Sequence, residues 1–183
     1  MTVSRRMNNA GMLIAAMLLL YAGESRGYGT GPPEIACSSM RPSHYGASDP
    51  FTPSPYTITV SKQKYKAGES IDVTLKGANG EKFKGFFVQA RKHNSQSVIP
   101  VGTFTEVTSV GSKNLCRQRN GDHAISHSNS NQKSEVVLRW TAPAKSAGDI
   151  VFRVTVVMAY DTFWDNQESA VVKEVNSSGA VIG

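Results

Sequence analysis

Several features that mark other classes of protein are scarce or missing in this chain of 183 residues. Cysteine occurs only twice, and a chain of this length can bury a hydrophobic core without a dense set of disulfides. No phosphate-cradling glycine loop and no H-E-x-x-H motif occurs, and no convincing set of acids, bases and nucleophiles stands out. The sequence therefore predicts a protein that is not an enzyme and that has neither a cofactor nor a resident metal.

The first 27 residues have the pattern of a secretory signal peptide. Arg5 and Arg6 give a positive start, residues 12–22 are an apolar run, and Ser25 and Gly27 are the small residues that place cleavage after Gly27. A membrane anchor is the alternative, but the run holds about half of the ~20 apolar residues that span a bilayer. Cleavage would leave 17 basic and 13 acidic residues, a formal charge of +4. No later segment is apolar enough to span a membrane, so we predict a secreted, extracellular protein.

The two cysteines, Cys37 and Cys116, leave no odd thiol. In an oxidising compartment the simplest interpretation is one disulfide. It would close a loop of roughly 80 residues, contribute ~4 kcal/mol in the chain-entropy model, and attach the irregular N-terminal segment to the body. A catalytic or metal-binding thiol is the alternative; it is disfavoured because neither cysteine lies in a C-x-x-C motif or a histidine-rich setting.

One stretch, residues 83–91, organises the predicted core with the sequence FKGFFVQAR. Its length and its aromatic and branched residues predict a strand near the middle of a sheet. Gly85 interrupts the pattern, as expected where a strand bends or another backbone passes close. With a period of two, one face would carry Phe86, Val88 and Ala90, and the other Phe87, Gln89 and Arg91.

Two later segments, 135–141 and 150–159, alternate in the same way and supply most of the remaining large apolar side chains. Shorter alternating stretches near 56–60, 71–75 and 100–108 are separated by turn signals, and no convincing amphipathic helix occurs. This pattern predicts an all-β fold, an antiparallel β-sandwich. The predicted core positions of the two later strands are Val136, Leu138, Trp140, Ile150, Phe152, Val154, Val156 and Met158.

The rest of the chain predicts irregular structure. Residues 28–55 are punctuated by prolines and carry residues typical of packed surfaces, so we expect an irregular N-terminal arm that lies on the domain. The domain is predicted to cover residues 28–175, with a flexible tail at 176–183. Asn176 begins an N-glycosylation sequon in that tail.

Residues 109–133 are polar and predict one long loop, of a length that is often functional or mobile. The loop contains His123 and His127, whose spacing would suit a metal on a helix. The neighbouring Gly, Ser and Asn residues disfavour a helix, so we expect a solvated loop without a metal.

Several motifs, in order along the chain, resemble the reeler (reelin-type) domain family. They cover nearly the whole of the chain after the predicted leader, and together they are specific. The matching segments are 36–44 (ACSSMRPSH), 83–91 (FKGFFVQAR), 140–143 (WTAP), 148–157 with Gly148 and VFRVTVV, and 163–164 (FW).

The resemblance implies an immunoglobulin-like β-sandwich with a disulfide between Cys37 and Cys116. A secreted chain with only this domain resembles the small insect defence proteins of the family, which are associated with innate immunity, microbial surface binding and haemocyte nodule formation. Larger relatives include reelin, spondins and membrane ferric-chelate reductases. The reductases add haem-bearing membrane helices that this sequence lacks, so the resemblance implies no electron transfer here.

Basic side chains are the candidate binding groups, because clustered cations attract lipopolysaccharide phosphates, teichoic acids or heparin-like glycans. The alternative is that they are solvated spacers that keep strand edges from aggregating. A further candidate is an aromatic contact platform of Tyr160, Phe163 and Trp164, although core packing is favoured for Trp164. The predicted ligand-binding residues are Lys62, Lys64, Lys66, Lys113, Arg117 and Arg119.

These observations lead to two hypotheses of function. The first is a secreted innate-immunity protein that binds microbial surface polysaccharide or lipopolysaccharide, and promotes aggregation or haemocyte nodulation. The second is an extracellular matrix or cell-adhesion module that binds glycosaminoglycans. Nucleic acid is not an expected partner, because the charge is modest and the protein is predicted to be secreted.

Overall fold

The computed structural model describes residues 28–42, 52–117 and 121–182. The predicted signal peptide and Arg119 lie outside these residues. The helix is α1 (Ala36–Ser39). The strands are β1 (Tyr56–Val60), β2 (Lys64–Tyr65), β3 (Ser70–Gly77), β4 (Gly85–Lys92), β5 (Thr103–Thr105), β6 (Ser112–Leu115), β7 (Ala124–His127), β8 (Glu135–Thr141), β9 (Ile150–Ala159), β10 (Thr162–Glu168) and β11 (Lys173–Glu174). Two 3-10 turns lie at Ala78–Gly80 and Thr108–Val110.

The strands form two sheets that pack face to face. One sheet has the order β1-β3-β8-β5 and the other has the order β10-β9-β4-β7-β6, and neighbouring strands in both are antiparallel. A separate parallel pair joins β2 to β11. The alternating apolar side chains of β3, β4, β8 and β9 face each other in a single core. The predicted all-β sandwich is confirmed.

The core is centred on Trp140, whose side chain is fully buried. Its ring makes edge-on contacts with Tyr65 and Phe152, both at centroid distances of 5.5 Å. Its indole N–H donates to the Val101 carbonyl over 2.9 Å, which satisfies the polar atom that burial would otherwise leave without water. Edge-on aromatic pairs of this kind stabilise a core by about 0.5–1.5 kcal/mol beyond their buried area.

Strand β4 is buried on both faces. Phe86, Val88 and Ala90 lie in the sandwich core, as the alternation predicted. The other face carries Gln89 and Arg91, and these side chains are 0 % and 2 % exposed. They are buried because residues 28–42, here called the N-terminal arm, cross the outer surface of this sheet.

The prediction of one long loop over residues 109–133 is wrong. Strands β6 and β7 occupy much of it and extend the five-stranded sheet beyond β4. Ala124 and Ile125 are fully buried in β7. Short strands with polar residues such as Ser126 lack the apolar alternation that marks β3 or β9, so their sequence resembles a loop.

The C-terminal segment folds back on the domain. β11 pairs in parallel with β2. The chain then turns, and Val181 forms an antiparallel bridge with Val175 in the region predicted to be a flexible tail. Glu174 is buried beside this turn, and its Oε2 accepts hydrogen bonds from the Ala147 and Gly148 amides at 3.1 and 2.6 Å. These contacts attach residues near the C-terminus to the turn that precedes β9.

Candidate ligand-binding groove beneath the N-terminal arm

The disulfide between Cys37 and Cys116 joins the arm to the five-stranded sheet. The S–S distance is 1.95 Å, the Cα atoms are 5.7 Å apart, and the sequence separation is 79 residues. Gln89 Nε2 donates to the Cys37 carbonyl at 3.0 Å and to Cys116 Sγ at 3.2 Å. Glu34 accepts from the Cys116 amide at 3.2 Å. The ligand atoms of Glu34 and the two cysteines lie within 4.8 Å of one another, but the disulfide leaves no thiolate to bind a metal.

Arg91 provides a second attachment between the arm and the sheet, in addition to the disulfide. Its Nη2 donates to the carbonyls of Cys37 and Ser38 at 2.9 and 3.3 Å, and its Nε donates to Gln89 Oε1 at 2.7 Å. The two carbonyls belong to the last turn of α1, where partial negative charge gathers and cations are favoured. Burial lowers the pKa of Arg91 to about 10, with a smaller contribution from Arg153. The guanidinium therefore stays charged at neutral pH and is stabilised by neutral oxygens.

His127 closes the other end of the contact between the arm and the sheet. Its Nδ1 accepts from the Phe86 amide at 3.2 Å, so the neutral ring carries its proton on Nε2 and donates to the Tyr28 carbonyl at 3.1 Å. Burial lowers the pKa of His127, its contacts with the carbonyl oxygens of Phe86 and Tyr28, each at 3.1 Å, oppose that shift, and the charges of Lys133 and Lys113 add to it. The prediction that His127 lies in a solvated loop is wrong, because the ring is 8 % exposed.

A groove of about 350 Å³ lies between the arm and the sheet. The arm contributes Pro33, Ala36 and Met40, and the sheet contributes Phe87 and Val157. Most of this lining is apolar. The floor is formed by the outer faces of β4 and β9. The sequence predicts both strands, but it does not show that the arm covers these faces.

Gly85 on β4 lets the ring of His127, on the neighbouring strand β7, lie close to the β4 backbone at the groove. A Cβ atom at this position would lie 2.8 Å from His127 Cε1 and 3.1 Å from the two ring nitrogens. The ring is held by hydrogen bonds at both nitrogens, so it cannot move aside without losing them. The glycine predicted to mark a close approach does so, although the neighbour is a histidine ring.

The groove is bordered by positive charge. Arg41 and Lys84 are exposed at its border and His127 lies within it, while no Asp or Glu among the described residues lines it. Arg41 pairs with Asp165 at 3.1 Å. The arrangement combines an apolar interior with cations at the opening.

Lys62, Lys64 and Lys66, the first three predicted binding residues, do not share a strand face, because β1 ends at Val60. Lys62 pairs with Glu69, and Lys66 Nζ donates to the Ser177 carbonyl at 3.0 Å. Lys64 is exposed on β2. After β1 the chain enters β2, which pairs with β11.

The other predicted basic residues that the structure describes, Lys113 and Arg117, lie on or beside the five-stranded sheet. Lys113 is half-buried on β6, and Arg117 follows that strand and pairs with Asp122 at 3.1 Å. Arg119 lies outside the described residues. The structure thus separates the five described residues of the predicted binding set into at least two places, and none of these five lines the groove.

The aromatic residues after β9 do not form one platform. Phe163 is buried, and Trp164 packs on Tyr56 at a centroid distance of 5.6 Å while its indole donates to the Thr52 carbonyl. Tyr160 alone of the three lines the groove. Trp164 packs against Tyr56 of the core, which agrees with the core packing favoured for it.

Asn176 is exposed at the C-terminal turn. Its Oδ1 accepts from Ser178 Oγ at 2.6 Å and from the Ala180 amide at 2.9 Å. This is the turn geometry that Asx residues favour. Glycosylation of Asn176 remains a prediction.

The sequence did not reveal the groove as a site. A local signal existed in Gln89 and Arg91, two polar side chains on one face of an otherwise apolar strand. Arg91 is buried, because the arm covers it.

Fold and site together define a small β-sandwich domain with one disulfide, which carries a groove beneath its N-terminal arm. Within the described ranges, no helix has the length and apolar character needed to cross a membrane. The chain belongs to the reeler domain family, whose model matches residues 35–180. The match extends past the domain boundary predicted at residue 175.

Relatives with similar sequences fall into two groups. The chain is 40 % identical to "Putative defense protein 3" of Antheraea mylitta over 79 % of this chain and 85 % of that protein. It is 39 % identical to "Putative defense protein Hdd11-like" of Samia ricini over 80 % and 87 % of the two chains. It is 37 % identical to "Putative ferric-chelate reductase 1" of Danio rerio. That match covers 82 % of this chain but only 26 % of the Danio rerio protein.

Among solved structures, the human F-spondin reeler domain superposes with a TM-score of 0.57 at 20 % identity. The match covers 72 % of this chain and 92 % of that one. At this level of identity, the likeness concerns the fold alone.

Proposed function

We propose that this protein is a secreted defence protein that binds anionic components of microbial surfaces and promotes aggregation or haemocyte nodulation. The observation that carries the proposal is the 40 % identity over 85 % of a moth protein named as a defence protein. The disulfide favours an extracellular location, where such bonds persist.

The charge of the chain supports an anionic ligand. The formal net charge is +6, and +4 once the predicted leader is removed. Lys84 is exposed beside the groove, and Lys113 lies close enough to His127 to lower its pKa. Lys62 and Lys66 are engaged with Glu69 and Ser177, so their charge is less available to a ligand. We therefore place the principal contact with anionic polymers near Lys84 and Lys113.

Pull-down of the purified protein by bacteria, followed over a series of salt concentrations, tests this proposal. We expect binding that weakens as salt rises, because exposed charges are screened within about 10 Å at 0.1 M ionic strength. Two variants remove the same charge from different places. Lys84→Gln with Lys113→Gln should weaken binding several-fold more than Lys62→Gln with Lys66→Gln.

Haemocyte clumping in the presence of the protein and bacteria tests the second half of the proposal. Failure to bind bacteria at low salt, together with retention on heparin, would overturn it. That result would instead favour the matrix or cell-adhesion module that binds glycosaminoglycans. Equal losses in the two double variants would contradict the placement of the contact.

A further inference from the structure

We propose that the groove beneath the N-terminal arm binds a single acyl chain that carries an anionic head group, such as a long-chain fatty acid. This inference goes beyond the proposed defence role. It concerns a small ligand inside the groove, and it stands whether or not the exterior of the protein binds microbes.

The lining of the groove fits hydrocarbon. Ala36 and Met40 from the arm and Phe87 from the sheet are at least 96 % buried, and their apolar side chains form its wall and floor. The volume of about 350 Å³ lies at the small end of the 300–1,000 Å³ typical of ligand pockets. A pocket of this size favours one chain over a lipid with two or more.

The opening of the groove fits a negative charge. Lys84 is exposed there and makes no ion pair with any described residue, so its ammonium group can meet a ligand. Arg41 is also exposed, and its pairing with Asp165 at 3.1 Å leaves other guanidinium N–H groups for an anion. Since no carboxylate of the described residues lines the groove, a head group of negative charge meets cations without a facing anion.

The backbone around the groove argues against a peptide as the ligand. The floor is formed by β4 and β9, and each of these strands already pairs with a neighbour on both sides. An extended peptide binds most readily by adding to a free strand edge, which the floor does not offer. The arm is held to the sheet by the disulfide and by Arg91, and most residues that line the groove are apolar.

Titration of the purified protein with cis-parinaric acid, a fluorescent fatty acid, below its micelle concentration tests this proposal. We expect saturable binding of one probe per protein, displaced by palmitate and at least ten-fold less well by hexadecanol, which lacks the charge. Val157→Phe, which fills the groove from β9, should weaken probe binding at least ten-fold. Ala159→Phe fills it from the end of the same strand and serves if Val157→Phe fails to fold.

A pair of charge variants tests the head-group contact. Lys84→Gln should weaken probe binding several-fold, with less effect on hexadecanol. The matched control is Lys64→Gln, which removes an exposed lysine from β2 and should leave binding unchanged. Circular dichroism verifies that each variant is folded.

The proposal is overturned if the wild-type protein shows no saturable binding of the probe, or if folded Val157→Phe and Ala159→Phe both bind as the wild type does. Equal losses in Lys84→Gln and Lys64→Gln would overturn the assignment of the head group. Because the titration uses only protein and fatty acid, it stays decisive even if bacterial pull-down fails. Failure of the pull-down overturns the defence role and leaves the groove to be judged by this titration.

Discussion

The guanidinium of Arg91, on the central strand of one sheet, donates to the carbonyl oxygen of Cys37 in the arm over 2.9 Å. The residue that ends the alternating pattern of β4 thus holds the half-cystine that also joins the arm to Cys116. Two attachments of different chemistry, a covalent bond through the sulfur and a buried cation at the carbonyl, meet at one residue, Cys37. The arm is therefore an integral layer of the domain.

Replacing the buried cation should destabilise the protein. Arg91→Met keeps the length of the side chain but leaves the Ser38 carbonyl and Gln89 Oε1 without the donor that Arg91 supplies, and it leaves the Cys37 carbonyl with Gln89 Nε2 alone. Each buried acceptor left without a partner costs about 1–3 kcal/mol, and partial access to water reduces the sum, so we expect a loss of about 2–4 kcal/mol. Urea denaturation measures it.

The control for this change is Lys92→Met, at the exposed end of the same strand. It should alter the free energy of unfolding by no more than about 0.5 kcal/mol. Equal effects of the two substitutions would show that the contacts of Arg91 with the arm do not stabilise the fold.

Removal of the disulfide should also cost stability. With Cys37→Ser and Cys116→Ser together, we expect a loss of about 2–5 kcal/mol, because the unfolded chain regains the freedom of a long loop. Guanidinium denaturation of the variant and of the wild type measures the difference. In a double-mutant cycle with Arg91→Met, the two losses should not add, since both changes free the same arm. Strict additivity would mean that the two attachments act independently.

Acid should weaken the contact between the arm and the sheet through His127. Burial lowers the pKa of this ring in the folded state below its ordinary value of 6.5. Between those two pKa values the unfolded chain binds the extra proton and the folded chain does not, so stability falls as the pH falls. The contribution is fully present above about pH 6.5 and is lost as the pH drops from there through the folded pKa.

The measurement is the free energy of unfolding at pH 7.5 and pH 5, compared between the wild type and His127→Gln. The glutamine cannot titrate, and its amide can still donate towards the Tyr28 carbonyl. We expect the wild type to lose more stability than the variant over this range. Identical losses would remove His127 from the acid response and leave it to other titrating groups.

Gly85→Ala should force the β4 backbone and the His127 ring apart and so destabilise the protein. The added methyl group would lie 2.8 Å from Cε1 of a ring that cannot shift freely. Overpacking of this kind typically costs 1–3 kcal/mol. Thermal unfolding measures the change. In a His127→Ala background the same substitution should cost much less, and an unchanged cost would show that the clash is with another group.

Local patterns in the sequence were sufficient for the architecture of the core. Alternation with period two gave the inward positions of β4, β8 and β9, and Phe86, Val88, Leu138 and Trp140 fill one interior together. The count and setting of the cysteines gave the disulfide. Such features can be predicted because the period of a strand and the pairing of two thiols need no knowledge of the path of the chain.

The site was not predictable in the same way. Alternation shows that Gln89 and Arg91 share a face, but not that an arm some 50 residues earlier covers it. Strands β6 and β7 carry too few apolar residues to stand out. Lys113 lies on β6, whereas Lys62 lies in the connection between β1 and β2. The sequence by itself determined the inner faces of the sandwich and the bond that closes it. The tertiary structure decided what lies on the outer face of β4, because long-range contacts place the arm, and with it the groove, over residues that are distant in sequence.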